Sequence, residues 1–232
     1  MMGCLGMAVA ATAARAADLS SVAIPDDANV ILLQGDIEPG DADAVEALIK
    51  TINDDGRLVS AIRLDSPGGG LAEAIRLAEL IRRAKVPTVV AARSRCASAC
   101  FIVFASGVEK FASYDAAIGV HGVSDRFGHQ TMQTEAATRS MARIASELGV
   151  PPRIVAQMIA TRPSEIAWLS PDDLRAMGAI MTGRPGPSAL SGAAEEARAA
   201  ADLTPASVER PSAFMGAAHS LSSGARHLPA ER

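Results

Sequence analysis

Three short stretches of the 232-residue chain hold side chains that could do chemistry together. The first, Leu64-Asp65-Ser66-Pro67-Gly68-Gly69-Gly70, joins a proline, which removes a backbone donor, to three glycines that reach backbone geometries closed to other residues. A glycine-rich loop opening a helix presents free N–H groups, suited to a phosphate or an oxyanion; the same residues also make a plain tight turn. The loop lacks both the G-K-[ST] ending of a P-loop and the G-x-G-x-x-G spacing. The second stretch, Arg95-Cys96-Ala97-Ser98-Ala99-Cys100-Phe101, sets Ser98 among small residues where an apolar helix begins. There the helix dipole favours developing negative charge and the Ala99 N–H has no acceptor within the helix, although a serine at this place also reads as a simple N-cap. The third is His121, which ends Ile118-Gly119-Val120-His121, 23 residues after Ser98. Alone, such a histidine is more often structural. Together the three supply the nucleophile, base and oxyanion donor that acyl transfer needs.

These residues require elements that bring them to one place. Asn29 to Gln34 reads as a short apolar strand, and Asp41 to Asn53 follows with Val45, Leu48, Ile49 and Ile52 at helical spacing. The alternation recurs with Val59–Leu64 as strand, 71–82 as helix, 88–92 as strand and 98–105 as helix. Three βα units in series predict a parallel sheet, with sites at the carboxyl ends of its strands, where all three stretches fall. Residues 118–121 read as a further strand, and 130–148 and 153–161 as helices. Ser170-Pro171-Asp172-Asp173 gives an N-cap, a proline at the first helical position and an acidic third residue, with Gly178 closing that helix.

S-P-G-G opening a helix, a strand leading to A-S-small, and a hydrophobic strand ending in His make the stretch from Asn29 to Ile180 resemble the Clp-type serine peptidases of the crotonase superfamily. The closing segments Leu169 to Leu174 and Met177 to Ile180 belong to the same likeness. The resemblance implies an α/β fold of the ClpP/crotonase kind, a peptide or protein substrate, no cofactor and assembly into a homo-oligomer. It implies Ser98 as nucleophile, His121 as base, and Gly69 and Ala99 as oxyanion-hole residues, with Gly68 in the same loop. In that family an aspartate a few residues before the last capped helix orients the histidine; here its place is filled by Ile166. The adjacent Glu165 is the carboxylate expected to substitute, on a one-residue shift of the loop, with Asp125 and Asp172 as the other nearby acids. Lys110 keeps a Ser-Lys pairing open, as in signal-peptide peptidases of related fold. The Cys-Ala-Ser-Ala-Cys setting and the N-terminus resemble a periplasmic branch.

Composition narrows the function classes. With 22 Lys and Arg against 26 Asp and Glu, net charge −4, the chain has no basic excess to neutralise a phosphate backbone, which argues against nucleic acid as a partner. Residues 1–17 read as a signal peptide: an uncharged run from Gly3 to Ala14, too short for the roughly 20 residues of a membrane span, then Ala14-Arg15-Ala16 in the small-x-small form of a cleavage site. A periplasmic or secreted protein is expected, cleaved near Ala16 or Ala17. Cleavage removes Cys4 and leaves Cys96 and Cys100, without the further ligands of a zinc site. A bridge between them needs Cys96 to lie just outside a helix that contains Cys100; helical i, i+4 geometry aims Cβ atoms poorly for one, so two small buried thiols are the first expectation. From Gly186 to Arg232, 28 of 47 residues are Ala, Ser, Gly or Pro, a composition that cannot bury enough to offset its ordering entropy. The expected organisation is therefore a signal peptide over 1–17, one domain over 22–182 and a disordered tail over 186–232. Three functions fit: an exported serine hydrolase, foremost a peptidase; a catalytically inactive oligomeric binding protein on the same fold; and a crotonase-like acyl-CoA enzyme.

Overall fold

Strand β2 (Ala28–Gln34) alternates buried Ile31 and Leu33 with less buried neighbours, the pattern of a strand whose faces differ. It runs through a loop into α1 (Asp41–Asp54), which turns Ala42, Val45 and Ile52 inward. Two further units follow: β3 (Leu58–Asp65) with α2 (Leu71–Ala84), then β4 (Thr88–Val90) and β5 (Arg95–Ala97) with α3 (Ala99–Ala105). The computed structural model describes residues 17–184 apart from Asp27 and Arg126. Except for Ala17, the expected signal peptide lies outside the described residues, as does the expected tail.

The main sheet has the order β1-β2-β3-β4-β6-β9, where β1 is Asp18–Ile24, β6 Lys110–Ser113 and β9 Ala179–Thr182. From β2 to β9 every pairing is parallel, the sheet predicted from the βα series; β1 adds an antiparallel edge. A second sheet, β5-β7-β8, contains β7 (Ala117–Val120) parallel to β5, and β8 (Ala167–Trp168) antiparallel to β7. A single bridge between Ser66 and Cys96 ties β5 to the end of β3. The region predicted as one strand over 88–92 therefore stops at Val90, and the chain turns through Arg93, at φ 63°, before β5 begins.

All seven residues of α3 are buried, so a helix apolar on every side is what its position demands. It packs on α2 and touches α4 (Met132–Glu147), which packs on α5 (Pro152–Ala160). Helix α6 (Pro171–Ala176) has the predicted cap: Ser170 Oγ accepts from Asp173 N–H at 3.1 Å, the Asp173 carboxylate accepts from Ser170 N–H at 3.0 Å, and Gly178 follows at φ 78°. No helix among the described residues is long and apolar enough to cross a membrane.

One expectation is overturned. Cys96 and Cys100 are not two thiols but a disulfide, with their Cα atoms 5.2 Å apart. The helical-geometry objection does not apply, because Cys96 lies in β5, Cys100 lies in α3, and the chain reverses at Ser98 between them.

Candidate active site

The glycine loop is held from two sides. Ser66 N–H donates to Arg95 O at 2.7 Å and Ala97 N–H donates to Ser66 O at 3.1 Å, which fixes the loop's start against β5. Ile37, in the β2–α1 loop, donates its N–H to Gly68 O at 2.7 Å and accepts from Gly70 N–H at 2.8 Å. Between those bonds the N–H of exposed Gly69 has no partner among the described residues.

Glycine is required at two of these positions. A Cβ on Gly68, at φ 115°, would lie 2.7 Å from Ser98 Cβ and 2.9 Å from Ala97 O; one on Gly69, at φ 138°, would lie 2.3 Å from Ile37 O. Gly68 thus lets the loop approach the Ser98 turn, while its own N–H is taken by Ser66 Oγ at 3.1 Å. Among the described residues, the N–H groups of Gly69 and of Ala99, the first residue of α3, are left without a partner at the site.

Ser98 sits at φ 57°, ψ −127°, a conformation that costs a non-glycine residue on the order of 1–3 kcal/mol. Its N–H donates to Gly119 O at 3.2 Å, carrying the β5–β7 ladder one step further, and its O accepts from Phe101 N–H at 3.0 Å. The hydroxyl caps nothing: α3 has no side-chain cap bond. The plain N-cap reading of this serine therefore fails. The disulfide spans the turn, with both cysteines fully buried and half-buried Ser98 at its centre.

His121 follows the last residue of β7. Because Ala97, the last residue of β5, pairs with Gly119, one residue before the end of β7, Ser98 and His121 follow the carboxyl ends of adjacent parallel strands. The corner is pinned by Gly122 N–H to Thr161 O at 2.9 Å and Val123 N–H to Thr138 Oγ1 at 2.8 Å. The ring's Nδ1 lies 2.7 Å from Gly122 O. A carbonyl only accepts, so Nδ1 is the donor of this bond, and in the neutral ring that puts the lone pair on Nε2, the form a general base needs.

The structure brings together Ser98, Gly68, Gly69 and Ala99, with His121 on the neighbouring strand end. Among the described residues there is no hydrogen bond between Ser98 and His121, and none from His121 to a carboxylate. Register explains the missing acid: Gly119 pairs with Trp168 and Val120 with Ala167, so one further step sets Ile166 opposite His121, and Ile166 Cγ2 packs against Gly119. Glu165 is exposed, and its N–H donates to Arg162 O. Asp172 pairs with Arg175, and Asp125 Oδ1 accepts the N–H groups of Phe127 and His129. Lys110 begins β6 opposite Thr88, at the end where the strands start and away from the Ser98 turn; burial lowers its pKa. Sequence reasoning missed Ile37, whose clip on the glycine loop has no local sequence signal.

No family model matches the chain, and no curated protein matches its sequence. Among solved structures it is similar to ClpP1 from Listeria monocytogenes, with a TM-score of 0.52 and 16% identity over 67% of this chain and 91% of that one. The fold is ClpP-like. A mutant of 1510-N, a membrane-bound stomatin-specific protease, is also similar, with a TM-score of 0.49 and 18% identity over 68% of this chain and 80% of that one. On this ClpP-like frame the glycine loop, the serine turn and the histidine stand at the ends of β3, β5 and β7, three strand ends held together by direct backbone bonds.

Proposed function

We propose that the protein is an exported serine hydrolase, a peptidase, in which Ser98 attacks and His121 takes its proton. The observation that carries this reading is the Ser98 turn: a strained serine whose hydroxyl caps nothing, beside the Gly69 and Ala99 N–H groups, which have no partner among the described residues. In the reaction the Ser98 oxygen adds to the scissile carbonyl as its proton passes to His121 Nε2. The N–H groups of Gly69 and Ala99 receive the oxyanion. The imidazolium then protonates the leaving amine, and water, activated by the same nitrogen, hydrolyses the acyl-serine. The Gly122 carbonyl holds the ring tautomer throughout, and Glu165 is the carboxylate proposed to stabilise the cation if the 163–166 loop shifts by one residue. The similarity to ClpP1 supports a peptide substrate and assembly with further copies of the chain. Exposed Met132, Ile159 and Trp168 supply apolar surface for that assembly, which sedimentation of the mature chain tests.

A fluorophosphonate probe tests the chemistry. Wild type is expected to label, Ser98→Ala not at all, and His121→Ala at least about 100-fold more slowly. Labelling that persists in Ser98→Ala removes Ser98 as nucleophile. The second reading, an inactive binding protein, is favoured by the missing Ser98–His121 and His121–carboxylate bonds, and it prevails if folded wild type never labels.

A further inference from the structure

Asp41, the first residue of α1, is only 2% exposed, yet no Lys, Arg or His among the described residues pairs with it. One carboxylate oxygen accepts the Glu38 N–H at 2.9 Å. A second buried carboxylate, Glu73, is near enough to repel it; Glu73 accepts the Gly40 and Ala42 N–H groups and pairs with Arg76, which also reaches Asp43. Desolvation, followed by this repulsion, holds the Asp41 carboxyl above the ordinary aspartate range. Of this buried acid pair only Glu73 has an arginine, and Asp41 lacks a cation.

The missing charge has a candidate source in the chain itself. Ala17 is 8% exposed and precedes β1, and the pairing of Asp18 with Gln34 sets it at the end of β2 from which the chain runs to α1. Its N–H donates to the Asp41 carboxylate. The cleavage signal Ala14-Arg15-Ala16 ends immediately before it.

We propose that cleavage after Ala16 converts the Ala17 nitrogen into an α-ammonium that ion-pairs with Asp41 and so locks the mature N-terminus onto the start of α1. A signal-cleaving endopeptidase hydrolyses the amide: water adds, the C–N bond breaks, Ala16 leaves as a carboxylate and the Ala17 amine holds a proton at neutral pH. The donor is already seated, so the charge appears in place without rearrangement. The pair also braces the site, because Asp41 holds Glu38, next to the Ile37 clip on the glycine loop.

This inference rests on the export part of the proposed function, and two measurements separate them. N-terminal sequencing of protein recovered from an exporting bacterial host is expected to begin at Ala17; an intact Met1 sinks the export reading, and any first residue other than Ala17 overturns the processing step. Independently, three preparations are melted: the 17–232 chain, the same chain with one glycine ahead of Ala17, and the 17–232 chain acetylated at its amine. The free, unextended chain is expected to melt about 5–10 °C above the other two, the scale of one buried ion pair in a domain of this size. In an Asp41→Asn background that gap is expected to close. Equal melting of the three wild-type preparations overturns the pairing even if Asp41→Asn fails to fold, and so does a gap that survives Asp41→Asn.

Discussion

At the residue scale, chemistry hinges on how Ser98 is kept in a conformation that serine avoids. The Cys96–Cys100 bridge closes a five-residue loop around it, and a loop that short stabilises by about 2 kcal/mol through the unfolded chain. Replacing both cysteines by alanine is therefore expected to lower the melting temperature by about 4–8 °C. It should also slow fluorophosphonate labelling by more than tenfold at temperatures where the variant is fully folded, since the Ser98 turn then loses its brace. Labelling at the wild-type rate in the folded variant would confine the bridge to stability. The acid is a separate matter. With Glu165 proposed to stabilise the His121 cation, Glu165→Gln is expected to slow labelling by up to about 10⁴-fold with folding preserved; unchanged labelling would leave the ring to the Gly122 carbonyl on Nδ1.

At the element scale, the glycine loop is the part that tolerates least change. Gly68→Ala forces a Cβ to 2.7 Å from Ser98 Cβ at a φ of 115°, so one of the two turns must move. The expected result is a loss of labelling of at least about 100-fold with the fold retained, read by circular dichroism beside the probe; unchanged labelling would show that the loop does not bear on Ser98. Much of this scale was legible in the sequence. The apolar spacing of α1 and α2, the capped α6 and the strand-to-helix junctions all have local causes, and the structure has each of them. The strands that escaped are short or exposed: β1 has only one residue that is not exposed, β5 has three residues, β6 and β9 have four each and β8 has two. Such strands are defined by partners distant in sequence, as is the Ile37 clip. The disulfide escaped because its geometry depends on the Ser98 turn, and nothing local announces a serine at positive φ.

At the scale of the whole molecule, the core of the described residues reaches almost to both of their ends. Ala17 belongs to it at one end and Ala179 at the other, with Met181 packed against it, and Thr182 O still accepts the Tyr114 N–H at 3.1 Å. Beyond this point the composition turns to Ala, Ser, Gly and Pro, with Val208 and Phe214 its only β-branched aliphatic or aromatic residues. From composition alone, a segment so poor in large apolar side chains is expected not to offset the entropy of ordering its backbone. Limited proteolysis is therefore expected to trim the chain to about residue 185, and a variant ending there should melt within about 1 °C of the mature chain. If the domain holds the whole site, the truncated protein should also label with the fluorophosphonate at the full rate. A fall of several degrees would show that the last residues pack on the domain, while a normal melting temperature with lost labelling would place part of the active site, or of the assembly that forms it, in the tail.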